Sequence, residues 1–80
     1  MKMFELIKTI KFKTDKKGKK LKKEIEIYIK IELEKLHKKY KNIHIDYEYY
    51  IEKVGNEKYI YINFWKIKNI EKEGYYEIKH

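Results

Sequence analysis

Six of the eight residues from 16 to 23 are lysines: Lys16, Lys17, Lys19, Lys20, Lys22 and Lys23. Only Gly18 and Leu21 separate them, and no acidic residue lies among them. Like charges this close repel one another, so a folded chain keeps them on a surface where an anion can balance them. The chemistry such a cluster serves is ionic contact with a polyanion, and nucleic acid is the first candidate. Lys38, Lys39 and Lys41 form a smaller group further along. All 21 residues of the Lys and Arg class are lysine. Lysine meets phosphate as a hydrated point charge, whereas arginine is the fork that reads guanine edges bidentately. The lysines therefore suit backbone contact, and RNA or single strands are favoured over a specific duplex site. The competing reading is a solvated loop in a chain of biased composition. Ala, Ser, Pro and Gln are absent, while Ile, Lys, Glu and Tyr dominate, and these favoured residues, Glu aside, mostly have AT-rich codons. That bias raises the number of lysines without explaining why they cluster.

A second group with chemical potential is aromatic. Tyr50, Tyr59, Tyr61 and Trp65 fall on one face of an expected hairpin, where they would form either a stacking platform for unpaired bases or a protein interface. Homodimerisation is one form of the latter, and packing beneath the C-terminal segment is a third reading. The acidic neighbours Asp46, Glu48 and Glu52 on that face count against nucleic acid there. His44 and Asp46 are two residues apart and point the same way on a strand, a spacing that can orient a general base. The chain has no Ser or Cys to act as a nucleophile. His37, His44 and His80 show no metal-ligand spacing. The expectation is a protein that is not an enzyme, with no cofactor and no metal.

Eighty residues at a net charge of +8 make a single basic domain, residues 1–80. At 42% charged the chain is unusually polar, yet 14 Ile and 13 aromatic residues supply a core. Without cysteine there are no disulfides. The start, Met1-Lys2-Met3-Phe4-Glu5, does not read as a signal peptide, and no stretch approaches the roughly 20 apolar residues of a membrane span. The expected location is cytoplasmic, in the producing or host cell, with no membrane partner.

The elements that must position these groups are legible to differing degrees. Ile43, Ile45, Tyr47, Tyr49 and Ile51 alternate with polar residues and Tyr50, a period of two that marks a strand. Gly55-Asn56 then separates this run from Tyr59-Ile60-Tyr61-Ile62-Asn63-Phe64-Trp65, which predicts a hairpin with a II′ turn. Its register places Val54 opposite Glu57, Ile51 opposite Ile60, Tyr49 opposite Ile62 and Tyr47 opposite Phe64. Phe4, Leu6, Ile10 and Phe12 predict a strand over about residues 3–13.

Residues 21–33 carry both periods. Ile25, Ile27, Ile29, Ile31 and Leu33 alternate as in a strand, while Leu21, Ile25, Tyr28, Ile29, Leu33, Leu36 and Tyr40 recur as in a helix. The helix is favoured over about residues 20–41, because Glu34 to Tyr40 is helical in character and a lone hairpin needs a covering layer. Ile27 and Ile31 then widen its apolar arc. Tyr75, Tyr76 and Ile78 predict a last short strand after Gly74.

The fold class is α+β, a small antiparallel sheet with one long helix in the order β-α-β-β-β. The alternative is an all-β five-stranded small barrel with a short helix at 34–41. A strand, a Lys- and Glu-rich helix ending in Leu33-Glu34-Lys35-Leu36-His37-Lys38-Lys39-Tyr40, and a long hairpin is similar in arrangement to ribosome-associated hibernation factors. The later helix of that family has no counterpart here.

Two functions follow. The first is a non-enzymatic small basic protein that engages nucleic acid, or a nucleic-acid-containing complex such as a ribonucleoprotein, through the Lys cluster. The second is a viral or mobile-element inhibitor of the anti-CRISPR or anti-defence type, which binds a host protein complex through the Tyr-rich face.

Overall fold

A computed structural model of the chain describes residues 2–69. Strand β1 (Lys2–Lys13) is followed by helix α1 (Gly18–Lys39), then strands β2 (His44–Val54) and β3 (Glu57–Asn69). The strands form one open antiparallel sheet in the order β1-β3-β2, with α1 packed on one face. Both outer strands run antiparallel to β3, so β1 and β2 are parallel to each other with β3 between them. Three strands lie among the described residues, where the expected order β-α-β-β-β has four. The strand expected at Tyr75, Tyr76 and Ile78 falls outside those residues. The barrel alternative is overturned, because residues 18–39 are one continuous helix of 22 residues.

The hairpin follows its apolar pattern. Val54 pairs with Glu57, Ile51 with Ile60, Tyr49 with Ile62 and Tyr47 with Phe64. Gly55 has φ +62° and Asn56 does not share the positive φ, as a II′ turn requires. Ile60, Ile62 and Phe64 point at the helix from the central strand and are fully buried. Leu21, Ile25, Ile29 and Leu36 meet them from α1, with Ile45 from β2. β-branched residues lower helix propensity only slightly, so burial of this stripe decides the conformation of residues 21–33.

Two details depart from the sequence pattern. The β1–β3 register shifts between Leu6 and Lys8, where Ile7 is the extra residue of a bulge. A bulge exchanges the two faces of a strand. Ile10 and Phe12 therefore pair with Ile62 and Ile60 on the helix side, while Leu6 pairs with Trp65 on the open face. Phe4 and Leu6, which plain alternation places with Ile10 and Phe12, are 58% and 48% exposed. On the helix, Ile27 and Ile31 do not extend the buried arc and are 53% and 50% exposed.

Candidate nucleic-acid interface

Helix α1 begins against the usual rules. Negative side chains and a Ser, Thr, Asp or Asn cap favour a helix N-terminus, where the backbone dipole is positive. Here the cap residue is Lys17, no side chain caps the first turn and no acidic residue lies in it. Gly18 takes φ +56°, a left-handed conformation that glycine adopts without strain. The C-terminal turn obeys the rules, with His37, Lys38 and Lys39 at the negative end.

The loop that delivers the cluster is pinned at both sides. Thr14 donates its backbone N–H to the Lys58 carbonyl at 3.0 Å, which extends the β1–β3 pairing. The Thr14 hydroxyl donates to Glu24 at 2.7 Å and accepts the Lys16 backbone N–H at 3.1 Å. Lys16 Nζ lies 2.8 Å from the other Glu24 oxygen, and Lys58 Nζ donates to the Lys16 carbonyl. Glu24 is held below the usual carboxylate range by Lys16 first and Thr14 second, and Lys16 is raised in turn by Glu24. Lys16 therefore serves the loop. Lys17, Lys19, Lys20, Lys22 and Lys23 are exposed and make no ion pair among the described residues.

The fold adds cations that were not singled out in the sequence. Lys53 and Lys58 stand opposite each other next to the hairpin turn, a like-charge pairing that disfavours the strand pair. With Lys13, Thr14, Asp15 and Lys17 they line a hollow of about 640 Å³ between the hairpin tip and the β1–α1 loop. The lining is mixed in charge: Lys13 pairs with Glu57 at 3.0 Å, and Asp15 and Glu24 also contribute. The hairpin register is the signal that could have placed Lys58 with Lys53, but only the tertiary fold brings them to the Lys16 loop. Lys38, Lys39 and Lys41 are not part of this end. At about 1.5 Å per residue the helix carries Lys38 roughly 27 Å from Lys20.

The four aromatic candidates do share the open face of the sheet, since Tyr59, Tyr61 and Trp65 alternate along β3 and Tyr50 pairs with Tyr61. Their rings are largely engaged. Tyr50 and Tyr61 stack at 4.9 Å and 6°. Lys11 reaches Tyr61 from the opposite strand, 5.3 Å from its ring and 4.8 Å from that of Tyr59. Tyr61 is thus flanked on both sides, by Tyr50 from β2 and Lys11 from β1. Its hydroxyl donates to Glu52, and that of Tyr59 donates to Glu57. Contact with Tyr61 raises the Lys11 pKa, Glu57 raises that of Tyr59, and Tyr59 and then Lys13 lower that of Glu57. Thr9, Asn63 and Glu48 continue this polar row at 2.8 and 3.3 Å. Trp65 is flanked by Leu6 and Asp46.

His44 and Asp46 share the open face, and Asp46 accepts the Tyr47 backbone N–H at 2.8 Å. His37 sits in the last turn of α1. Among the described residues no group of His, Cys, Asp and Glu is arranged to hold a metal ion, and no helix is long and apolar enough to cross a membrane. Comparison with family models, curated proteins and solved structures returns no match.

Proposed function

We propose that this chain is a non-enzymatic binding protein that engages nucleic acid, RNA or single strands before duplex, through phosphate contacts at the N-terminal end of α1. One observation carries the reading. The first turn of the helix gathers lysines and excludes acids and caps, although the same helix has carboxylates at Glu24, Glu26, Glu32 and Glu34 to place there. A sequence that breaks a local stability rule does so most often where function requires it. Lys17, Lys19, Lys20, Lys22 and Lys23 supply the charge, Lys53 and Lys58 extend it, and Lys16 holds the loop in place. Lys38, Lys39 and Lys41 serve as a separate contact at the far end of the helix. Because the Tyr61 ring already has neighbours on both sides, base stacking contributes little beyond what the outer face of Tyr50 offers.

The open sheet face supports a second reading. Tyr50 is 50% exposed there and Phe4 58%, a surface that suits a host protein complex if the chain is an inhibitor of the anti-defence type. A salt titration separates the two. With about five phosphates contacted, log affinity for a single-stranded RNA falls with log salt at a slope near −3.5, or near −4.5 for a duplex. A Tyr50→Ala, Tyr61→Ala chain keeps the same slope and affinity. A flat salt response overturns the first reading, and loss of RNA binding in the tyrosine variant overturns the assignment of the site to the lysines.

A further inference from the structure

We infer that this chain associates head to tail with further copies of itself, the outer edge of β2 pairing with the outer edge of β1 in the next copy to continue the sheet. The inference does not rest on the nucleic-acid reading. Among the described residues both outer strands of this three-stranded open sheet present unpaired backbone groups along one edge, and natural proteins blunt such edges unless they use them. Here the two edges are long and unlike. Along the stretch 8–13, β1 carries Lys8, Lys11 and Lys13 and no acid. Along the stretch 47–52, β2 carries Glu48 and Glu52 and no base. Each edge repels its own kind and attracts the other.

The apolar groups on the helix side agree with this polarity. Tyr47, Tyr49 and Ile51 point to that side from β2, yet they lie beyond the cover of α1 and are 43%, 46% and 45% exposed. At the opposite edge, Tyr28 stacks on Phe12 of β1 at 4.1 Å. Beside it, Ile27 and Ile31 line a hollow of about 610 Å³ rimmed by Lys16, Lys20 and Lys23. One edge thus offers an apolar strip and the other offers an apolar recess on the same side of the sheet.

The register extends the match row by row. Within one chain, β1–β3–β2 rows read Lys13–Tyr59–Glu52 and Lys11–Tyr61–Tyr50 on the open face. On the helix side they read Phe12–Ile60–Ile51, Ile10–Ile62–Tyr49 and Lys8–Phe64–Tyr47. Because β1 and β2 are parallel, a copy placed alongside in the same orientation pairs them in parallel and simply continues each row. Glu52 then meets Lys13 of the next copy, Tyr50 meets Lys11, Ile51 meets Phe12, Tyr49 meets Ile10 and Tyr47 meets Lys8. These junctions are ion pairs, cations over aromatic rings or apolar contacts, and in the remaining row, Thr9–Asn63–Glu48, Glu48 meets the Thr9 hydroxyl as a hydrogen-bond acceptor. The bulge at Ile7 lies outside these rows. Such a contact is heterologous, so it grows past a dimer instead of closing.

The test is sedimentation of the full chain at about 0.15 M salt, where the +8 charge of each copy is screened over about 8 Å. The weight-average mass rises with concentration beyond two chains. Tyr49→Lys blocks one edge and Ile31→Glu blocks the other. Each variant alone stays a single chain, and an equimolar mixture of the two forms a two-chain species and stops there. In parallel, hydrogen exchange of the wild-type chain shows amide protection in β1 and β2 that increases with concentration, while β3 stays unchanged. A single wild-type chain at all concentrations up to about 1 mM, a wild-type plateau at two chains, or an equimolar mixture of the two blocked variants that keep their fold but fail to associate with each other overturns the inference. So does concentration-independent protection of the β2 edge, which would mean that residues 70–80 of the same chain cover it.

Discussion

Replacing Lys17, Lys19, Lys20 and Lys23 together with glutamate lowers affinity for a single-stranded RNA at least about 100-fold at 50 mM salt and reduces the salt slope from near −3.5 to about −0.7. The slope counts the phosphates neutralised, so removing four contacts of about five leaves one. The same variant unfolds at a higher temperature than the wild-type chain. Lys19 and Lys20 lie in the first helical turn, where exchanging a positive for a negative side chain favours the helix by about 0.3–1 kcal/mol each. Binding and stability therefore move in opposite directions. That divergence distinguishes a site retained for function from a region whose lysines are neutral to both. Lys16 is left in place because its ion pair to Glu24 holds the loop. Fluorescence anisotropy against labelled RNA and thermal melting measure the two effects, and a variant that binds as wild type contradicts the assignment.

Phe64→Ala unfolds the protein or brings it to the margin of folding. Phe64 is fully buried at the centre of the middle strand, and truncating such a residue costs about 3–5 kcal/mol. A chain of 80 residues has a total of about 4–12 kcal/mol to lose. Tyr49→Ala, one strand away on the same side, costs less than about 1 kcal/mol because its ring is half exposed. Urea denaturation followed by circular dichroism reads both. Equal losses at the two positions would mean that the helix covers Tyr49 as it covers Phe64.

The hairpin was legible in the sequence because three independent signals agree: alternation in Tyr47–Ile51, alternation in Ile60–Phe64, and a Gly-Asn turn of the right length between them. The helix was harder, since residues 21–33 satisfy both periods and the choice rests on the helical character of Glu34 to Tyr40 and on the sheet's need for a cover. Strand β1 was legible as a strand but not in its facing. Phe4, Leu6, Ile10 and Phe12 keep a period of two, and only pairing with β3 shows the bulge at Ile7 that turns the first two away from the core. Nor does alternation reveal the strand order β1-β3-β2, because it specifies faces and not neighbours. The same limit applies to the candidate site. The run from Lys16 to Lys23 is plain in the chain, but Lys53 and Lys58 join it only through the hairpin's position over the β1–α1 loop. The separation of Lys38, Lys39 and Lys41 follows from a helix length that the sequence leaves open by several residues. The stacking of Tyr50 on Tyr61 follows from the register, whereas the placement of Lys11 against Tyr61 needed the β1–β3 pairing.

The central claim is that polyanions dock on the N-terminal end of α1, and the most direct measurement is amide chemical-shift mapping of the full chain with a short single-stranded RNA. The claim predicts perturbations centred on residues 17–23 and reaching Lys53 and Lys58, with a weaker separate set near residues 38–41. Perturbations centred instead on Tyr50, Tyr59, Tyr61 and Trp65, or absent at saturating RNA and low salt, would contradict it.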